Sequence, residues 1–264
     1  MDFDAVFSAL PKKEAKFDPC FAFSIHKCGS TMMNRMIGEV CEQQDIPSVS
    51  VPDVMFSEGI PAAQWMNAPE LLPVFEKRML YYGFRFLPPV LCTTGFPLTE
   101  RRFVLLVRDP RDALVSEYFS YGTKSGSHAL PKKNAEAFIA ARESKKERPI
   151  DDYVLGASRQ LKNKLLAYRD SLNFDLGLLR RYEDIFFDKE TFLGEIFDHF
   201  GIEVPAGVIA QVAQKHDIRP EKEDETRHIR KGTPGDHAEK LAPETIAQLN
   251  DIFREVGAFY GYAL

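Results

Sequence analysis

An apolar run, Phe21-Ala22-Phe23-Ser24-Ile25, stops at His26-Lys27-Cys28-Gly29-Ser30-Thr31. It passes into Met32-Met33-Asn34-Arg35-Met36-Ile37-Gly38-Glu39-Val40, which reads as a helix. This junction constrains the chain more than any other stretch. Strand, tight turn and helix start together make an anion site. The first N–H groups of a helix lack intrahelical partners, and the helix dipole is positive at that end. Lys27 adds a mobile cation, and Ser30 and Thr31 add hydroxyl donors. The ligand expected is a phosphate or a group shaped like one. The nucleotide-triphosphate loop has another order, G-x-x-x-x-G-K-[ST]. Here Lys27 precedes Gly29, and no glycine stands upstream in the strand.

A second junction repeats the arrangement. Arg102-Phe103-Val104-Leu105-Leu106-Val107 reads as a buried strand. It ends at Arg108-Asp109-Pro110-Arg111-Asp112-Ala113-Leu114-Val115-Ser116, where Asp109 can cap a helix and Pro110 suits its first position. Two further segments carry charge in short turns: Arg181-Tyr182-Glu183-Asp184, and Arg227-His228-Ile229-Arg230-Lys231-Gly232-Thr233-Pro234-Gly235-Asp236.

K-C-G-S-T at 27–31 resembles the 5′-phosphosulfate loop of the sulfotransferases, which use 3′-phosphoadenosine-5′-phosphosulfate (PAPS). Residues 108–116 match that family's R-[DN]-P-[RK]-D-x-x-V-S at every fixed position. Arg230-Lys231-Gly232 resembles the start of its R-K-G-x-x-G-D loop, and 182–184 its Y-E-D turn. The motifs occur in the family's order, from about residue 21 to the C-terminus. The resemblance implies a donor site. Lys27, Cys28, Gly29, Ser30 and Thr31 would hold the 5′ end. Arg108 and Ser116 would hold the 3′-phosphate, with Arg230, Lys231 and Gly232 adding contacts from a covering loop. Tyr182 would lie near the adenine. Met32 stands where many members stack an aromatic ring on adenine, and His237 stands where the family often has tryptophan.

The base is less determined. Many members place a histidine shortly before the second junction, but the window from Tyr81 to Arg102 contains none. Some carbohydrate-directed members take a glutamate after the first helix, which brings forward Glu58 and Asp53. His128 and His26 are the histidine alternatives, and Glu58 ranks first. Lys27 is expected to stabilise the leaving oxygen. Cys28 reads as a small residue filling the turn, with a lowered thiol pKa as the alternative.

Composition fits this reading. A chain of 264 residues suits one α/β domain, expected over 1–264. Alternating strands and helices predict a central parallel sheet flanked by helices, with a P-loop-like phosphosulfate loop at the strands' C-terminal ends. Strands are expected near 20–25, 103–107 and 177–182. Helices are expected to about Gln44, over 65–82 broken by Pro69 and Pro73, from strand 103–107 through Tyr121, and over 134–146, 155–173, 189–200 and 243–257. Residues 46–53 read as irregular or a short strand. The polar segments 121–149 and 215–231 are expected to be mobile and to order on ligand binding.

A net charge of −5 offers no general basic field, so neither nucleic acid nor an anionic membrane is an expected partner. Cys20, Cys28, Cys41 and Cys92 have no metal or disulfide spacing. No metal is expected. No signal peptide or membrane span is read, and a cytoplasmic location is expected. The acceptor expected is a small molecule or a carbohydrate. Trp65, Tyr81, Tyr82, Phe84, Phe86 and Phe96 are core by default and a pocket lining otherwise. Oligomeric state stays open, a homodimer included. Two other readings stand beside sulfuryl transfer: a P-loop nucleotide or small-molecule kinase, and a non-catalytic nucleotide-binding module.

Overall fold

The computed structural model describes residues 3–93, 95–122, 132, 133, 136, 139, 148–219 and 232–264. Its centre is a five-stranded parallel sheet: β1 (Cys20–Ser24), β2 (Ser48–Val49), β3 (Leu80–Phe84), β4 (Phe103–Val107) and β5 (Gly177–Arg181), in the order β2-β3-β1-β4-β5. β1 and β4 are buried at every position, which is why they read as unbroken apolar runs.

The two faces of β1 differ. Phe21 and Phe23 enter an aromatic layer with Phe75, Tyr81, Phe84, Phe103 and Tyr168. Cys20 and Ala22, pointing the other way, are small enough for helix α1 (Ser30–Gln43) to lie close. That helix turns Met33, Met36, Ile37 and Val40 onto the sheet. Helices α2 (Val51–Ser57), α3 (Pro110–Glu117), α4 (Ile150–Ser171), α5 (Lys189–Phe200), α6 (Ala206–Lys215) and α7 (Pro243–Phe259) complete the flanking layers, with shorter turns between them. Among the described residues no helix is long and apolar enough to cross a membrane.

The topology places the site. From β1 the chain goes to outer β2 and returns to β3 at one side of β1. It then crosses to β4 on the other side. The order reverses between β1 and β4, and the crevice at their C-terminal ends is where open parallel sheets bind ligands. The two junctions picked out in the sequence therefore lie side by side.

The structure corrects the sequence reading in three places. Residues 65–82 are not one broken helix: helical turns end at Phe75, and β3 follows. Gly83, at φ +92°, falls inside β3, and the β1–β3 register shifts opposite it. Of residues 46–53, expected to be irregular or a short strand, 48–49 form strand β2, but 51–53 already open α2, which Ser50 caps by accepting from Asp53 N (3.3 Å). Helix α6 lies in a stretch left unread. The helix expected over 134–146 falls outside the described residues except at 136 and 139, both helical. Most of the polar segments 121–149 and 215–231 also lies outside them. Trp65, Tyr81, Phe84 and Phe96 are buried in the core, and Tyr82 and Phe86 are half-buried against it.

Candidate active site

The turn after β1 is made by two residues in left-handed conformation, Lys27 (φ 67°) and Gly29 (φ 85°). Gly29 is the N-cap of α1, and among the described residues no side chain caps that helix. Its carbonyl accepts from Met33 N (3.1 Å), so the N–H groups before Met33 precede the first helical bond. Ser30 is buried, and Thr31 and Met32 are half-buried at this end.

Cys28 turns inward: its N–H donates to Ile25 O (3.2 Å) and its thiol to His26 O (3.6 Å). Burial pushes that thiol up to about 12, which removes the lowered-pKa alternative. Cys28 fills the turn.

Gly29 is needed on two counts. A Cβ there would lie 2.7 Å from Tyr182 Cδ2 and 2.9 Å from Cε2, in a backbone conformation that other residues rarely adopt. Gly29→Ala is expected to destabilise the fold by about 1–2 kcal/mol from the backbone alone, and more if Tyr182 must move. Denaturant unfolding measures this, and a variant as stable as wild type would remove the close-approach argument.

The second junction supplies the main cation. Arg108 is 8% exposed. Its Nη1 donates to Lys27 O (3.3 Å), and its guanidinium carbon lies 4.7 Å from the centre of the Tyr182 ring. Its Nε is buried and has no hydrogen-bond partner among the described residues. Asp112, one turn on, has Oδ2 at 3.7 Å from Arg108 Nη2, beyond hydrogen-bond reach. The neighbouring Arg111 is committed elsewhere, to Asp109 (2.6 Å) and Asn250 (2.8 Å). Asp109 caps α3 through Arg111 N (2.9 Å).

The Y-E-D turn stitches the site together. Glu183 accepts from Asp109 N (2.9 Å) and from the Tyr262 hydroxyl (2.9 Å). Tyr182 lies under Arg108 and donates to Gly232 O (2.6 Å). Burial raises the Tyr182 phenol to about 12 despite Arg108, so it stays a neutral donor. Gly232 is thereby fixed beside the arginine; Arg230 and Lys231 lie outside the described residues.

Beyond α3 the chain widens into a π-helical turn, Tyr118–Gly122. Ser120 in that turn is buried and accepts from Lys27 Nζ at 2.6 Å. Tyr121 meets His26 edge-on, with ring centres 6.5 Å apart. Ser116 is half-buried on the last turn of α3, one turn beyond Asp112. So Lys27, Gly29, Arg108, Tyr182 and Gly232 form one connected group.

The acid candidates have other described partners. Glu58, at the end of α2, is ion-paired to Lys133. Asp53 is tied to Ser50 (2.7 Å) and Arg85 (3.4 Å). His128 lies outside the described residues.

In the sequence Asp112 reads only as a possible partner for the arginine one turn before it, a pairing the structure holds at 3.7 Å, and Ser120 carries no signal. Asp112 is 1% exposed and accepts from Gly235 N (2.6 Å), His237 N (2.9 Å) and His237 Nδ1 (2.7 Å). Burial alone would raise its carboxyl. The His237 hydrogen bond, the Arg108 charge and the two backbone N–H groups outweigh burial and hold it well below the usual carboxylate range. Its place in the R-D-P-R-D run was a usable signal.

No curated protein matches the chain. Among solved structures, the mouse sulfotransferase SULT7A1, crystallised with PAP, superposes with a TM-score of 0.61 at 17% identity, over 98% of this chain and 91% of its own. A sulfotransferase from Alicyclobacillus acidocaldarius gives 0.52 at 14% identity, over 95% and 98%. These likenesses show a shared fold. The sulfotransferase-domain family model matches residues 18–259, nearly the whole chain, and the chain belongs to that family.

Proposed function

We propose that this protein transfers a sulfuryl group from PAPS to a hydroxyl or amine of a small-molecule or carbohydrate acceptor, releasing the 3′,5′-bisphosphate PAP. The observation that carries this is Arg108. A guanidinium has five N–H donors. Among the described residues this one makes a single hydrogen bond, is buried, and has an orphaned Nε. Its one neighbouring anion in the described structure, Asp112, stands at 3.7 Å and takes its hydrogen bonds from Gly235 and His237, so the guanidinium's remaining donors suit a phosphate, which accepts several charge-assisted bonds at once. The PAP in the mouse relative's crystal is an anion of that kind.

In this reading the residues divide along the donor. Arg108 and Ser116 hold the 3′-phosphate, with Arg230, Lys231 and Gly232 as the further contacts. The uncapped start of α1, with Gly29, Ser30 and Thr31, receives the 5′ end. Cys28 contributes the shape of the turn, and Met32 and Tyr182 flank the base. The donor supplies the sulfuryl group and a phosphate leaving group. Lys27, passing from Ser120 to the bridging oxygen, offsets charge that builds there as the bond breaks. Catalysis of this kind is positioning plus electrostatics. Glu58 is the first candidate for the base that takes the acceptor proton, and His26, next to Lys27, is the second; His128 remains a third.

Purified protein with ³⁵S-labelled PAPS and an acceptor panel is expected to transfer label and release PAP in equal amounts. Glu58→Gln and His26→Gln in the same assay separate the two described bases by which one removes turnover. PAP binding without transfer to any acceptor would favour a non-catalytic module. Phosphoryl transfer from magnesium-ATP would favour a kinase.

A further inference from the structure

The Asp112 carboxylate sits among groups of opposite demand. It faces the Arg108 guanidinium on one side and the segment after Gly232 on the other. Oδ1 takes the backbone N–H and the ring Nδ1 of His237, and Oδ2 takes the backbone N–H of Gly235. An ionised carboxylate only accepts, so the Nδ1 of His237 carries the proton. Three N–H donors leave the carboxylate largely satisfied, and Arg108 Nη2 stands off at 3.7 Å. An arginine and an aspartate one turn apart would otherwise close into a buried fork-to-fork pair. That pair would take the donors which the anion needs.

We propose that His237 is a positioning residue for donor binding: its ring N–H occupies Asp112 and so keeps the Arg108 guanidinium open to the donor's 3′-phosphate. The inference rests on the PAPS reading above. Only the His237 side chain separates the two states, because both backbone N–H groups survive its replacement. His237 is itself mostly buried (13% exposed), so its ring is held in place. The same segment is tied down a second time by Tyr182 through Gly232 O, and Tyr182 also carries Arg108 on its ring. Arg108 thus sits between the two anchors of the segment that runs from Gly232 to His237.

The test compares wild type, His237→Phe and His237→Asn. Phenylalanine keeps the bulk and loses the donor, whereas the asparagine amide can place an N–H where Nδ1 was. PAP affinity by calorimetry is expected to fall about tenfold in His237→Phe, the scale of one lost charge-assisted bond. His237→Asn should recover most of that loss. In turnover assays His237→Phe should raise KM for PAPS with kcat near wild type. PAP binding by His237→Phe equal to wild type overturns the proposal, as does a His237→Asn no better than the phenylalanine variant. In both of those outcomes the PAPS reading survives, because wild type still binds PAP and Arg108→Ala still weakens it. A wild type that binds no PAP overturns the PAPS reading, and this proposal with it.

Discussion

Lys27→Ala is expected to lower turnover by about two to four orders of magnitude, the range seen when one transition-state donor is removed. PAP affinity should fall far less. The two effects separate because Lys27 plays two parts. Its side chain reaches forward to Ser120 (2.6 Å), and in the proposed reaction it passes from there to the leaving oxygen. Its backbone carbonyl faces the other way and accepts from Arg108 (3.3 Å), a contact that alanine keeps. The phosphate-binding arginine therefore stays in place when the ammonium is gone. Single-turnover transfer of labelled sulfate measures the chemical step, and calorimetry with PAP measures binding. Wild-type turnover in the variant would remove Lys27 from the mechanism, and an equal loss in both measurements would make it a binding residue only.

The parts of this protein legible in its sequence are those where local signal and burial agree. β1 and β4 are buried on both faces, so their composition is apolar throughout and each ends abruptly at charge. β3 was hidden because its aromatic run follows proline-broken helical turns and contains Gly83, which no strand pattern favours. β2 is two residues long, too short to show period. In the site, Lys27 and Arg108 sit at strand ends, where a charged residue after an apolar run stands out.

Asp112 stands out only as a neighbour of Arg108, and Ser120 does not stand out at all; the reasons differ. Asp112 is satisfied by donors 123 and 125 residues away, a pairing that only the fold creates. Ser120 meets Lys27 because the helix widens to a π turn at Tyr118–Gly122, which departs from the 3.6-residue period used to assign helix faces. The two arginines of the second junction also differ in what holds them. Both belong to one motif, but Arg111 lies over its own cap residue, Asp109, and is already paired.

Donor choice should follow from Arg108 with comparable force. PAPS is expected to be preferred over adenosine-5′-phosphosulfate, which lacks the 3′-phosphate, by at least about a hundredfold in kcat/KM. That figure corresponds to two or more lost charge-assisted bonds at roughly 1.5–3 kcal/mol each. The loss is steep because the described neighbours of Arg108 offer little in exchange. Arg108 cannot fall back on Asp112, whose oxygens are taken by Gly235 and His237. It cannot reach water easily at 8% exposure, and its remaining described contacts are one carbonyl, the face of Tyr182 and the Asp112 carboxylate at 3.7 Å. A donor without the 3′-phosphate leaves that charge buried and incomplete. Arg108→Ala should shrink the preference mainly by weakening PAPS, because the poorer donor never used the guanidinium. Arg108→Lys should recover little, since a point charge cannot reproduce the planar fork or its stacking on Tyr182. Equal use of both donors by wild type would mean that Arg108 does not hold a 3′-phosphate. A preference for magnesium-ATP over either would assign the loop at 27–31 to phosphoryl transfer instead.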